Sequence, residues 1–179
     1  VGDPTHVSTH LGPIINEKQL QRIEDYVEIG KDEGAELLAG GTRPASQELQ
    51  SGYYYRPTIF GNTDPKMRIC QEEIFGPVIS CIRFDGIDDA INTANDSDYG
   101  LAAGLCTSDL AKAHYVAQRL EAGTVWVNTF NGIAINAPFL GWKRSGIGVE
   151  RGLEGLRDHM QLKHVRIDMS QNILPSMDD

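Results

Sequence analysis

The sequence predicts an α/β protein with an open, twisted, mostly parallel sheet and flanking helices. Short apolar runs rich in β-branched residues alternate with longer stretches in which apolar residues recur every three or four positions, the period of a helix face. Glycine and proline separate these stretches, as they do at turns. The chain of 179 residues is long enough to bury one core. Strands that alternate with helices favour parallel β-α-β units.

The first half of the chain is predicted to contain a long helix and three strands. Asn16 is suited to cap a helix over about residues 17–33, and Gly34 is suited to end it. The apolar face of this helix consists of Leu20, Ile23 and Val27. Strands are predicted over residues 37–39, 53–60 and 78–84. Pro57 demotes the second of these to an edge or bulged strand, because proline cannot donate to a ladder.

The second half continues the alternation. Helices are predicted to end near Asn95 and to cover about residues 109–121 and 149–160. Strands are predicted over residues 100–106, 124–128 and about 162–169. The last of these alternates polar and apolar residues, so we expect a half-exposed edge strand that pairs with another chain or with an N-terminal part.

Composition excludes several classes of function. The net charge of −9 argues against nucleic acid and anionic membrane as partners. No apolar run is long enough to span a bilayer, so we expect a cytoplasmic protein. Three cysteines without C-x-x-C spacing suggest neither a disulfide framework nor a zinc site. His6 and His10 are four residues apart, but the segment is not helical in pattern and brings no third ligand, so no metal is predicted.

One stretch concentrates chemistry, at the entrance to an apolar run over residues 78–82. Glu72 and Glu73 are followed by Phe75, and Pro77 ends any helix that runs through the two acids. In a turn, residues two apart can face one side, which would place Glu73 beside Phe75. A carboxylate beside an aromatic face suits a ribose diol and a flat heterocycle. The alternative is a helix end with solvated acids and Phe75 in the core, and composition alone favours that alternative.

Four segments of the chain share one family resemblance. They are V-G-D-P at 1–4, E-E-I-F-G-P-V at 72–78, V-N-T-F at 127–130 and P-F-L-G-W-K-R-S-G-I-G at 138–148. Together they resemble the second half of the aldehyde dehydrogenase catalytic domain. The resemblance implies that Glu73 holds the nicotinamide ribose hydroxyls and that Phe75 packs near the nicotinamide. It therefore implies NAD or NADP as the cofactor of the complete enzyme.

The resemblance also implies a substrate tunnel. Its lining would come from the loop after residue 127, at Asn128, Phe130, Asn131, Ile133 and Phe139. Leu140 stands where the family pattern has a glycine, so we expect a narrower tunnel or a shifted turn there. Without the resemblance, loop packing is the favoured explanation of these side chains.

Glu150 has two interpretations. In the first turn of a helix, an acid is stabilised by the helix dipole, and that alone would explain it. The resemblance instead links this Glu to a proton path that serves deacylation. Val149 replaces the Arg of the family pattern, which often pairs across a subunit boundary.

None of the three cysteines fits the nucleophile that aldehyde oxidation through a thioester requires. Cys81 and Cys106 lie in apolar runs and are expected in the core, and no His stands beside Cys70. The resemblance places the nucleophile before Val1, together with the general base and the Rossmann portion. The opening without Met favours a piece of a longer protein.

We therefore expect the C-terminal portion of an enzyme that oxidises a small-molecule aldehyde to a carboxylic acid, inactive on its own. Residues 1–145 would be part of the catalytic domain. Residues 146–179 would supply a helix, the 162–169 strand that joins subunits of a homo-oligomer (dimer or tetramer), and a frayed tail. The alternative is a stand-alone, non-catalytic binding or assembly module derived from the same fold. The reading frame upstream of Val1 distinguishes the two.

Overall fold

The computed structural model describes residues 1–169. Its helices are α1 (Glu17–Asp32), α2 (Gln47–Gln50), α3 (Arg68–Gln71), α4 (Ile87–Asn95), α5 (Leu110–Ala117) and α6 (Gly152–Asp158). Its strands are β1 (Glu36–Ala39), β2 (Thr58–Gly61), β3 (Val78–Ser80), β4 (Tyr99–Gly100), β5 (Ala102–Leu105), β6 (Thr124–Val127), β7 (Phe139–Leu140), β8 (Trp142–Lys143) and β9 (Val149–Glu150). The predicted tail from Gln171 lies outside the described residues.

The strands of residues 1–169 form a three-stranded sheet, β1-β2-β3, and the pairs β4-β8, β5-β6 and β7-β9. β2 and β3 are parallel, as are β5 and β6, and the other pairs are antiparallel. Each parallel pair is joined through a helix, α3 or α5, as a β-α-β unit. The α/β class is confirmed, with its strands divided among small open sheets.

The main core lies between α1 and the three-stranded sheet. Its largest fully buried side chains are Ile23, Val27, Tyr55, Thr58 and Phe60. The predicted apolar face of α1 is buried as expected, and Gly34 follows the helix with φ of 92°. At Gly30, α1 approaches its neighbours closely, since a Cβ there would lie 3.0 Å from Ile69 and 3.1 Å from Phe60. This contact fixes α1 against β2 and α3.

Asn16 caps α1 as predicted, because its side-chain oxygen accepts from the backbone N–H of Gln19 at 2.9 Å. We expect Asn16→Ala to lower the free energy of unfolding by about 1 kcal/mol. Ser46 is the matched control: it precedes α2 but makes no side-chain cap hydrogen bond, so Ser46→Ala should change stability little. Urea unfolding of the two variants checks this. Equal losses in both would show that the cap bond contributes nothing.

Several predicted elements are shorter than expected. The strand predicted over 53–60 is confined to Thr58–Gly61, and it is the central strand of its sheet and not an edge strand. β3 stops at Ser80 because its partner β2 ends at Gly61, after which Asn62 turns the chain away with φ of 51°. The predicted strand over 100–106 is split, since Gly100 pairs with Trp142 in one sheet and Ala102 pairs with Thr124 in another. The helix predicted to begin at residue 149 begins at Gly152.

The C-terminal part of the described chain is the most exposed. The apolar side chains of α6 and of the segment after it lie on the surface: Leu153, Leu156, Met160, Leu162, Val165, Ile167 and Met169. Residues 162–169 form no strand with any other part of residues 1–169. Pairing of this segment with a second chain therefore stays a prediction. None of the helices described here is long and apolar enough to cross a membrane.

Candidate functional site

The loop before β3 is held by two side chains of α1. Arg22 donates to the carbonyl of Glu73 at 2.6 Å. Gln19 donates to the carbonyls of Ile74 and Phe75 at 2.9 and 3.0 Å. Three consecutive carbonyls are thus fixed by donors three residues apart on one helix face. The backbone of this loop is tied down, while the side chains of Glu73 and Phe75 remain available.

Phe75 adopts a strained conformation. Its φ of 60° lies in the left-handed region, which costs about 1–3 kcal/mol in a bulky residue. Its ring is 74% exposed, so the interpretation that Phe75 is a core residue is wrong. The next residue packs closely against α1, since a Cβ on Gly76 would lie 2.5 Å from the side chain of Ile23. The left-handed conformation of Phe75 therefore costs free energy and leaves its ring at the surface.

Glu73 and Phe75 line one cavity against α1. Its wall on the helix side is mainly polar, with Asn16, Gln19, Arg22 and Tyr26. The carboxylate of Glu73 is exposed at the edge of this cavity. The geometry therefore brings a hydrogen-bond acceptor and an aromatic face to one concave surface, as the spacing of the two residues predicts.

Glu72 has a different role from its neighbour. Arg68 donates to both of its carboxylate oxygens, at 2.7 and 2.9 Å, and the Tyr26 hydroxyl donates to the same carboxylate. These bonds, those from Arg68 foremost, lower the pKa of Glu72 to about 2. The bond to Glu72 also raises the pKa of Tyr26. Glu72 is thus an ionised anchor for the loop, which leaves Glu73 facing the cavity.

The hydrogen bonds of the Glu72 carboxylate predict that the free energy of unfolding depends on pH. Because the folded pKa of Glu72 is below its usual 4.5, its contribution is present above pH 4.5 and is lost as pH falls towards 2. The carboxylate is partly exposed, so we expect Glu72→Gln to cost at most about 1 kcal/mol at pH 7. Urea unfolding from pH 7 to pH 2 should show the two proteins converge in acid. A gap that widened on acidification would contradict this assignment.

The loop after β6 carries most of the other predicted site residues. Asn128 exchanges two hydrogen bonds with the backbone of Thr107, both 2.8 Å, so its amide holds the β5–α5 turn. Phe130 is 81% exposed and packs edge-on against Trp126, with ring centroids 5.3 Å apart. Asn131 has a left-handed φ of 56°, and Ile133 is 40% exposed. The loop presents apolar side chains to the surface, and Asn128 holds the start of the loop through its bonds to Thr107.

Phe139 and Glu150 lie directly opposite each other in the β7–β9 pair. Glu150 is therefore a strand residue, and its placement in the first turn of a helix is wrong. The helix cannot begin there because Arg151 takes a left-handed φ of 63°. One cavity is lined by Leu140, Val149, Glu150 and His159.

The cysteines are not where the sequence suggests. Cys81 and Cys106 are exposed, because each follows the last residue of its strand, so their expected core location is wrong. Cys70 is half-buried beside Glu72 and Glu73. Among the described residues, no group of three or more His, Cys, Asp or Glu could hold a metal ion.

The contributions of Gln19, Arg22 and Tyr26 escape inspection of the sequence. These polar residues recur every three or four positions on α1, next to its apolar face, and this period is the pattern that could have identified them. Their partners, however, lie about fifty residues further along the chain. Only the packing of α1 on the sheet reveals what they hold.

Two parallel β-α-β units, β2-α3-β3 and β5-α5-β6, define an α/β protein. The chain belongs to the aldehyde dehydrogenase family, whose model matches residues 1–165.

Individual relatives agree with this assignment. The betaine aldehyde dehydrogenase of Bacillus subtilis is 46% identical over 165 residues, which cover 92% of this chain and 34% of that protein. That of Brucella anthropi is 43% identical over 171 residues, 96% of this chain and 35% of that protein. The solved structure of betaine aldehyde dehydrogenase from Staphylococcus aureus in complex with NAD⁺ has a TM-score of 0.94 at 40% identity, covering 97% of this chain and 35% of that one. This chain spans 33–35% of the length of its first curated relatives.

Proposed function

We propose that this chain is the C-terminal third of an NAD(P)-dependent aldehyde dehydrogenase that oxidises an aldehyde to a carboxylic acid through a thioester. One observation supports the proposal: α1 fixes the backbone of the loop, and Glu73 and Phe75 of this loop line one cavity. The solved relative that contains NAD⁺ supports the choice of cofactor.

The residues present fit the nicotinamide end of such a cofactor. Glu73 offers a charged acceptor for two neighbouring hydroxyls, and such charge-assisted bonds are the stronger kind. Phe75 offers an exposed ring against which a flat heterocycle can pack. When bound, the nicotinamide accepts the hydride that leaves the substrate carbon.

The chain's own residues position and enclose the reacting groups. Glu73 orients the ribose, and α1 keeps the loop from drifting, which matters because misplacement of reacting groups is costly in rate. The path of the aldehyde would be lined by Phe130, Asn131, Ile133 and Phe139. Asn128, predicted as part of this lining, would instead hold the loop through its bonds to Thr107. Glu150, opposite Phe139, holds or transfers a proton during deacylation. The nucleophile belongs to a part of the enzyme outside these 179 residues.

The exposed segment over residues 162–169 would join subunits in the complete enzyme. Polar and apolar residues alternate along it, and its apolar side chains Leu162, Val165 and Ile167 are exposed. We assign it to a homo-oligomeric interface, in a cytoplasmic enzyme whose three free cysteines fit a reducing compartment. Light scattering on the complete protein and on Val165→Lys would test this, since the added charge should weaken association. An unchanged mass would refute the interface.

The function is tested on the complete protein encoded by the reading frame that carries this chain. Purified protein is mixed with NAD⁺ or NADP⁺ and a panel of aldehydes, and formation of the reduced cofactor is followed by absorbance. Turnover with carboxylic acid as product is the expected result. Absence of turnover with every aldehyde and both cofactors would refute the proposal and favour a non-catalytic binding module.

A further inference from the structure

The loop over residues 128–139 is held in one conformation by hydrogen bonds to neighbouring parts of the chain. Trp126 donates its indole N–H to the carbonyl of Gly132 at 2.9 Å. The carbonyl of Ile135 accepts from the N–H of Gly152 at 3.2 Å, which ties the loop to α6. With Asn128 bound to Thr107, the loop is anchored near both ends and in the middle. Its outward side chains are therefore held in place before any ligand arrives.

The side chains that the loop exposes are apolar or uncharged, with few aromatic rings among them. Phe130, Ile133 and Ile135 are 81%, 40% and 84% exposed, in a chain whose net charge is −9. Residues 128–139 contain no Asp or Glu, and their aromatic rings are Phe130 and Phe139 alone. Several large apolar side chains exposed together on one loop mark a surface that another group covers.

The relatives reported above are named for a quaternary ammonium aldehyde, and such cations are recognised by several aromatic faces or by carboxylates. Here Phe130 already uses one side in its edge-on contact with Trp126. Glu150 lies opposite Phe139 but is exposed, so water screens its charge. A trimethylammonium group enclosed by this wall would lose its hydration without a compensating partner. A neutral branched alkyl group of the same shape would not incur this loss of hydration.

We propose that the complete enzyme prefers uncharged aldehydes with an apolar tail over the quaternary ammonium aldehyde of its relatives. This inference rests on the proposed function and on the loop as the wall of the substrate path. Leu140 extends the aliphatic lining next to Phe139, where it borders the cavity of Glu150.

The test compares two aldehydes of one shape with the complete protein: betaine aldehyde and its neutral isostere 3,3-dimethylbutanal. Each kcat/KM is expressed per unhydrated aldehyde, so that the comparison reports the tail alone. We expect about tenfold or greater preference for the neutral isostere. Equal values, or a preference for the cation, would overturn the inference while leaving the proposed function intact. Lack of turnover with both, and with propanal and hexanal, would instead refute the proposed function.

Two variants connect the preference to the loop. Ile133→Tyr adds an aromatic face to the wall and should shift the ratio of kcat/KM values towards the cation by about two- to fivefold. Leu110→Tyr, at a 72% exposed position at the start of α5, is the matched control and should leave the ratio unchanged. An Ile133→Tyr ratio equal to that of the control would show that this wall does not select the substrate.

Discussion

The 179-residue chain alone is expected to produce no NADH or NADPH from any aldehyde. The reason is chemical: we propose that the nucleophilic cysteine and the general base of the reaction belong to a part of the enzyme outside these 179 residues. Binding of the cofactor should also be weak, because Glu73 and Phe75 can contact only its nicotinamide end. The measurement is absorbance of the reduced cofactor, with the complete protein as the positive control.

Addition of the upstream part, fused or as a separate chain, should restore turnover if the two parts dock. Exposed apolar residues on the chain, such as Leu38, Ile79 and Leu156, favour such docking and also self-association of the isolated piece. A Cys70→Ser chain is the informative control. Turnover by the isolated chain that disappears in Cys70→Ser would overturn this view and make Cys70 the nucleophile.

In the complete enzyme, Glu73→Gln should slow hydride transfer about five- to thirtyfold while the fold is retained. The amide is a weaker acceptor for the ribose hydroxyls than the carboxylate, a loss of about 1–2 kcal/mol in positioning. The fold should survive because the backbone carbonyl of Glu73, and not its side chain, binds Arg22. Single-turnover kinetics and thermal unfolding measure the two effects separately.

Glu28→Gln is the matched control for that substitution. Glu28 is an exposed carboxylate on α1 that pairs with Lys31 at 2.7 Å, away from the loop. It should leave the rate of hydride transfer unchanged. Wild-type kinetics in Glu73→Gln would remove Glu73 from the cofactor site, whatever the stability of the variant.

Local sequence signals predicted the helices better than the strands. α1 was located to within a residue, since an N-cap, an apolar face and a terminating glycine all agree over sixteen residues. β3 and β5 were predicted too long because a strand ends where its partner ends, and partners are distant in sequence. The same limit placed Cys81 and Cys106 in the core when both lie beyond the paired residues.

The sequence by itself determined the α/β class and the family, because the alternation of strands and helices and each family motif are local patterns. Only the tertiary structure showed which of the two acids, Glu72 or Glu73, anchors the loop through its side chain. Arg68 and Tyr26 bind Glu72, whereas Arg22 binds only the backbone of Glu73. It also moved Glu150 from a helix to a strand, because pairing with Phe139 and the left-handed turn at Arg151 outweigh local helical periodicity. The contacts of Tyr26 with Glu72 and of Arg22 with Glu73 join residues about fifty positions apart, so they leave no local pattern and packing alone assigns them.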